Sequence, residues 1–186
     1  YMYVTLYGPN GDQLSVGGGY TVAQIYNLRA PESGQYTAIV RSTNTATGLY
    51  NVHFAKAPQA NEHGDLVNGG HRTGSIDLGD LDTYTFEATE GEYFSISAAD
   101  IGNTSLYMYV TLYGPDGTYL THAGGYHVGE IYNFRAPATG RYVVQVQDAS
   151  GGNASTGDYE IHFVKAPGAN EHGVLANAGS RTETIT

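Results

Sequence analysis

The chain has 186 residues, 40% of them apolar, with no cysteine, no tryptophan and a formal net charge of -10 from 18 acidic and 8 basic side chains. That balance speaks against nucleic acid and anionic membrane surfaces as partners, which need clustered Lys and Arg, and the lack of cysteine excludes a disulfide framework, thiol catalysis and thiolate metal sites. The apolar fraction suffices for an ordinary core, while no apolar run approaches the roughly 18 residues of a membrane span.

The first nine residues, YMYVTLYGP, return unchanged at 107–115. Residues 1–41 match 107–147 with 24 of 41 identical, and 47–77 match 156–186 with 19 of 31 identical, at an offset of 109 (156 minus 47). A period of that length is the size of a whole domain, far longer than a solenoid repeat. Pro, Gly and Asn break the pattern in KAPQANEHG (56–64) and KAPGANEHG (165–173), which read as linkers. The expected organisation is therefore 1–58 as the C-terminal part of one β-sandwich repeat, 59–167 as a complete repeat, and 168–186 as a linker with the first strand of a third. Residues 1–58 have no counterpart of the first three strands of the complete unit. The expectation is a window on a longer repetitive polymer, in which strands of a neighbouring segment or chain complete both ends.

Along the complete unit, short alternating segments at 75–78, 83–88, 93–98, 106–113, 118–121, 130–135, 140–148 and 157–164 read as strands, and no segment has a helical period. GPDG at 114–117 and its twin GPNG at 8–11 are turn signals. The predicted fold class is all-β, with tandem antiparallel β-sandwich domains of jelly-roll-like topology. The period of two turns Tyr84, Phe86, Ala88, Phe94, Ile96, Met108, Val110, Leu112, Tyr142, Val144, Val146, Tyr159, Ile161 and Phe163 inward. It places Tyr107, Tyr109, Thr111 and Tyr113 on the opposite face.

The G-D-x-D-x-Y-x-F stretch at 79–86 and the A-P-x-x-G-x-Y stretch at 136–142, with LYGPDG and TGDYEIHF around them, resemble the bacterial pre-peptidase C-terminal domain. The resemblance spans the complete unit. It implies a small, secreted, non-catalytic β-sandwich of the kind attached to exported peptidases, similar to the collagen-binding domains of clostridial collagenases. Some of those relatives bind calcium through an acidic linker and aspartates of the first hairpin. Asn61, Glu62, Asp80 and Asp82 are the matching positions, so Glu62, Asp80 and Asp82 are the candidate metal ligands. No other cofactor is expected.

Read on its own residues, DLGDLD at 77–82 offers three carboxylates in six residues, the oxygen-rich setting calcium needs but without EF-hand spacing. The other reading is a β-hairpin turn whose Asp side chains bond nearby backbone N–H groups. His53, His162, His63 and His172 show no ligand spacing on a shared element and read as solvated surface histidines. G-x-S-x-G, H-E-x-x-H and P-loop motifs are missing, and no enzymatic activity is expected. The sequons at Asn103 and Asn153 matter only in a glycosylating pathway.

The tyrosine stripe is the best binding candidate. Tyr1, Tyr3 and Tyr7 in one copy and Tyr107, Tyr109 and Tyr113 in the other present stiff, amphipathic surface, and the GGGY (17–20) and AGGY (123–126) segments read as glycine loops that add Tyr20 and Tyr126. Cross-strand aromatic pairing without any partner is the alternative reading of the same stripe. The function expected is an extracellular or cell-surface structural and adhesive array, a fibre or stalk whose partners are copies of itself or neighbouring repeats. The alternative is a targeting module of a secreted hydrolase that binds an extracellular glycan or protein polymer.

Overall fold

The structure is a computed structural model and describes residues 1–43, 46–102, 104–150 and 154–168, with positions 177, 180 and 182. Asn103, Asn153, His172 and most of the expected third repeat lie outside the described residues.

Eleven strands occur among the described residues: β1 (Met2–Tyr7), β2 (Gln13–Gly19), β3 (Thr37–Ser42), β4 (Gly70–Ile76), β5 (Asp82–Ala88), β6 (Tyr93–Asp100), β7 (Tyr107–Tyr113), β8 (Tyr119–Tyr126), β9 (Val128–Arg135), β10 (Gly140–Asp148) and β11 (Gly157–Ala166). They form three antiparallel sheets, ordered β2-β1-β3, β5-β10-β7-β8 and β4-β11-β6-β9. The two four-stranded sheets are the layers of an all-β sandwich. All fourteen side chains assigned inward by alternation are buried, joined by Leu66, Ile76, Ala98, Leu106, Ile131 and Ala136. Phe86 and Phe94 pack edge to face at 4.8 Å between ring centroids, and Phe163 and Tyr142 meet Phe86 at 4.5 and 5.3 Å. Aromatic pairs at these separations add directional stabilisation to the area they bury.

The motif at 136–142 is a tyrosine corner. Tyr142 donates its hydroxyl to the Ala138 carbonyl, and Tyr36, its twin, donates to Glu32. The GPDG turn closes β7 onto β8, with the Gly117 N–H donating to the Gly114 carbonyl at 2.9 Å and Gly117 at φ 78°, a conformation glycine adopts without strain.

Three readings need correction. The strand expected at 75–78 is β4 at Gly70–Ile76. Its polar, glycine-bearing sequence does not alternate because β4 is an edge strand fixed by pairing with β11, and Gly74 lies beneath the Tyr159 ring, where a Cβ would come within 2.6 Å of it. The turn at 77–82 does not close a hairpin, since β4 and β5 belong to different sheets and this turn arches from one layer to the other. The supposed glycine loops lie in strands: β2 runs through Gly19 and β8 through Tyr126. Their glycines make room for tyrosines. A Cβ on Gly124 would lie 2.7 Å from the Tyr109 ring and 2.9 Å from that of Tyr107, and one on Gly18 would lie 2.8 to 2.9 Å from Tyr1 and Tyr3.

The order β2-β1-β3 matches β8-β7-β10, the strands to which these residues correspond in sequence. Segments 22–29 and 48–56 correspond to β9 and β11 but are not strands. In the sandwich, β9 pairs with β6, and β11 pairs with β6 and β4. Residues 1–58 contain no equivalent of β4 or β6, so these two segments have no ladder to join. Phe54 is 83% exposed whereas its counterpart Phe163 is 3% exposed, and Val52 and Tyr50 are likewise exposed.

Candidate functional site

The linker extends the β5-β10-β7-β8 sheet at its β5 edge. Residues 62–66 run beside β5: the Glu62 N–H donates to Thr83 Oγ1, the His63 N–H to the Thr83 carbonyl, and the Leu66 N–H to the Thr85 carbonyl. Asp65 bridges in parallel to Thr85, accepts from its hydroxyl, and meets the Arg141 guanidinium at 2.6 Å. This backbone pairing fixes where Glu62 and His63 point.

Glu62, His63 and Asp82 each bring a ligating atom within 4.8 Å of the others. Asp82 is 1% exposed. Its Oδ2 accepts from the Tyr159 hydroxyl at 2.6 Å, its Oδ1 lies 3.1 Å from His63 Nε2, and the Tyr84 and Tyr159 hydroxyls share a 2.7 Å hydrogen bond. Burial raises the Asp82 pKa, against the pull of Tyr159 and His63. Burial also pushes the Tyr159 phenol far up, with the Asp82 carboxylate adding to the effect. A groove lined by His63, His71, Arg72, Thr73 and Tyr84 opens beside this group.

Of the three ligands expected from sequence, Glu62 and Asp82 join His63 in the close set, while Asp80 lines a second groove with Asn61 and Glu62. Asp80 binds the turn, accepting from the Leu81 N–H at 2.9 Å, and its Oδ1 lies 3.0 Å from His53 Nδ1. The close set is two carboxylates and an imidazole, whereas calcium is a hard cation that takes six to eight oxygens. His63 and His53 are not merely solvated, as the sequence suggested: His63 also stacks on Tyr84 at 5.2 Å. Their carboxylate partners are 19 and 27 positions away (82 minus 63, 80 minus 53), so local spacing carried no sign of either pair.

The tyrosines form cross-strand ladders. Tyr107 meets Tyr126 edge to face at 5.1 Å, Tyr109 stacks on His122 at 4.9 Å, and Tyr113 meets Tyr119 at 6.4 Å. In the first copy Tyr1 contacts Tyr3 and Tyr20 at 5.0 and 4.9 Å, and the Arg41 guanidinium sits 4.9 Å over the Tyr3 ring. Tyr7 is half-buried at the end of β1.

The two ladders differ in what lies on them. Segment 22–29 reaches the second ladder: Tyr113 donates to Asn27 Oδ1, Arg29 donates to Thr118 Oγ1 at 2.9 Å, and Gln24 donates to Gln147 Oε1 at 3.4 Å. Burial, with the Tyr119 and Tyr109 phenols, pushes the Tyr113 pKa up to about 12, and Tyr26 is among the neighbours that raise Tyr109. Val143 and Gln147, on the outer side of β10, are buried, while their counterparts Thr37 and Arg41 on β3 are exposed. Gln24, Asn27 and Arg29 were not singled out from sequence. The only signal for them is that IYNLR recurs as IYNFR at 131–135.

Residues 80–148 match the family model described as the bacterial pre-peptidase C-terminal domain. Similar solved structures include the pre-peptidase C-terminal domain of collagenase from Bacillus anthracis, at 22% identity, covering 56% of this chain and 97% of that one with a TM-score of 0.46. Two periplasmic inhibitors of g-type lysozyme are also similar. PliG of Aeromonas hydrophila has 16% identity, covers 50% of this chain and 84% of its own, and gives a TM-score of 0.38. PliG of Salmonella Typhimurium has 19% identity, covers 55% and 96%, and gives 0.40. No curated protein matches the chain.

Proposed function

We propose that this chain belongs to a non-catalytic, extracellular structural protein, a fibre or stalk built of units like the one whose residues 80–148 match the pre-peptidase C-terminal domain. Neighbouring units press together through the outer tyrosine face of one and the 22–29 segment and linker of the other. The observation that carries this reading is the set of three hydrogen bonds that join Gln24, Asn27 and Arg29 to β10, β7 and the turn before β8, on a face where Val143 and Gln147 are buried. Tyrosine suits such a face because it buries large area at low entropic cost and keeps a hydroxyl for pairing.

The second reading, an accessory module that holds a secreted hydrolase on a glycan or protein polymer, is favoured by the family match, since such domains often accompany secreted proteases. One variant separates the two. Replacing Tyr107, Tyr109 and Tyr113 together by Ser should free segment 22–29, so that trypsin cleaves after Arg29 faster than in the wild type while the melting of the sandwich changes little. Unchanged cleavage would remove the contact role. Co-sedimentation of the wild type with an insoluble glycan or protein polymer, lost in the variant, would favour the targeting module.

A further inference from the structure

The contact between segment 22–29 and the second ladder has a twin in sequence. At the offset of 106 (107 minus 1), Gln24, Asn27 and Arg29 correspond to Glu130, Asn133 and Arg135 on β9, and their partners Gln147, Tyr113 and Thr118 correspond to Arg41, Tyr7 and Asp12. The neutral pair Gln24–Gln147 thus becomes Glu130–Arg41, and Arg29–Thr118 becomes Arg135–Asp12. Both substitutions produce opposite charges, and the Asn–Tyr pair between them is kept. A single repeated contact explains all three.

The geometry of the twin surfaces agrees. Asn27 and Asn133 share a left-handed backbone, at φ 45° and 49°, so the two segments turn alike even though only β9 lies in a sheet. Tyr132 is 78% exposed, and Glu130, Asn133 and Arg135 are exposed beside it. On the other side Asp12, Ile39 and Arg41 are exposed. Neither Glu130 nor Arg135 has an ion pair among the described residues. Tyr7 is half-buried between them, Arg41 lies over the Tyr3 ring and Asp12 accepts from Asn10, yet Asp12 and Arg41 stay exposed and carry charges opposite to Arg135 and Glu130, so the partner that fits is a second copy.

We propose that β9 of one copy docks on the outer face of the β2-β1-β3 sheet of another, with Glu130 on Arg41, Asn133 on Tyr7 and Arg135 on Asp12. The contact is heterologous, since the two patches differ, and it leaves a free patch of each kind at the ends of any pair. Copies therefore add head to tail. The inference rests on the proposed function only in taking the 22–29 contact as the pattern for a contact between units.

Sedimentation velocity on the full chain over a concentration series tests it. Wild type is expected to self-associate reversibly and less at high salt, as screened charge pairs require. Glu130→Arg and Arg41→Glu should each weaken association about tenfold or more, since each sets like charges against one another. Mixing the two variants should restore it, because each then offers the charge the other lacks. Asp12→Arg mixed with Arg135→Asp should behave the same way. A monomeric wild type, variants that associate like wild type, or a mixture that stays as weak as its components would each overturn the inference. If tryptic protection at Arg29 nevertheless persists, the contact within the chain stands and only the one between copies fails.

Discussion

The carboxylate of Asp82 is buried, yet its hydrogen bonds come from a tyrosine hydroxyl and a linker imidazole and not from a lysine or arginine. Removing the imidazole leaves the oxygen facing His63 without that partner, and an unsatisfied buried acceptor costs about 1–3 kcal/mol. His63→Ala is therefore expected to lower the unfolding free energy by that order, read as a lower urea midpoint, and His63→Gln, which can still donate, to lose less. Millimolar calcium is expected to leave the melting temperature of the wild type unchanged, because an imidazole stands among the three closely grouped ligands; a rise on adding calcium would show that the oxygens of Glu62, Asp80 and Asp82 bind it. Asp100 provides the pH dependence. Burial raises its pKa, but hydrogen bonds from His127, the Gly102 N–H and Thr104 outweigh it and hold the carboxyl below its ordinary value. A depressed folded value means that the unfolded chain binds more protons, so its contribution is present above the unfolded pKa of about 3.9 and is lost as pH falls through the folded value. The stability advantage of wild type over Asp100→Asn should thus shrink between about pH 5 and 2, measured by urea unfolding at each pH. The inward tyrosines could be read from alternation alone, and Asp82 from a carboxylate-rich turn. His63 could not, because its role depends on the linker folding back along β5.

Among the elements, seven of the eight strands of the sandwich were legible because alternation survives wherever one face is buried and the other is not. It failed at β4, whose Gly70–Ile76 run holds a single buried apolar residue, and at the glycine ends of β2 and β8. There glycine signals a loop by composition but serves as space for cross-strand rings. Gly124→Ala should accordingly be destabilising by about 1 kcal/mol, the low end of overpacking costs because the rings lie on an outer face. Gly48→Ala, where a Cβ would meet nothing within 4 Å, serves as the control with little effect. Equal melting temperatures for the two variants would contradict the packing role of Gly124. Segments 22–29 and 48–56 show the converse limit. They carry the same apolar pattern as β9 and β11, yet a strand also needs a partner edge, and periodicity says nothing about whether one is within reach.

For the whole molecule, the repeat was plain in the sequence, but the way one unit meets the next was not. That meeting depends on Asn27 and Arg29 lying on Tyr113 and Thr118, pairs 86 and 89 residues apart. A stalk needs its units held in one orientation, whereas a flexible tether between domains leaves them free. The chain has no cysteine, so two can be introduced for spin labels without background. With labels at Ile39 on β3 and Val164 on β11, both exposed and one on each unit, pulsed electron resonance reads the distance between the units directly. At a concentration below self-association, one narrow distance distribution is expected in the wild type, broadening when Tyr107, Tyr109 and Tyr113 are replaced by Ser. A broad wild-type distribution that the substitutions leave unchanged would contradict the fixed orientation.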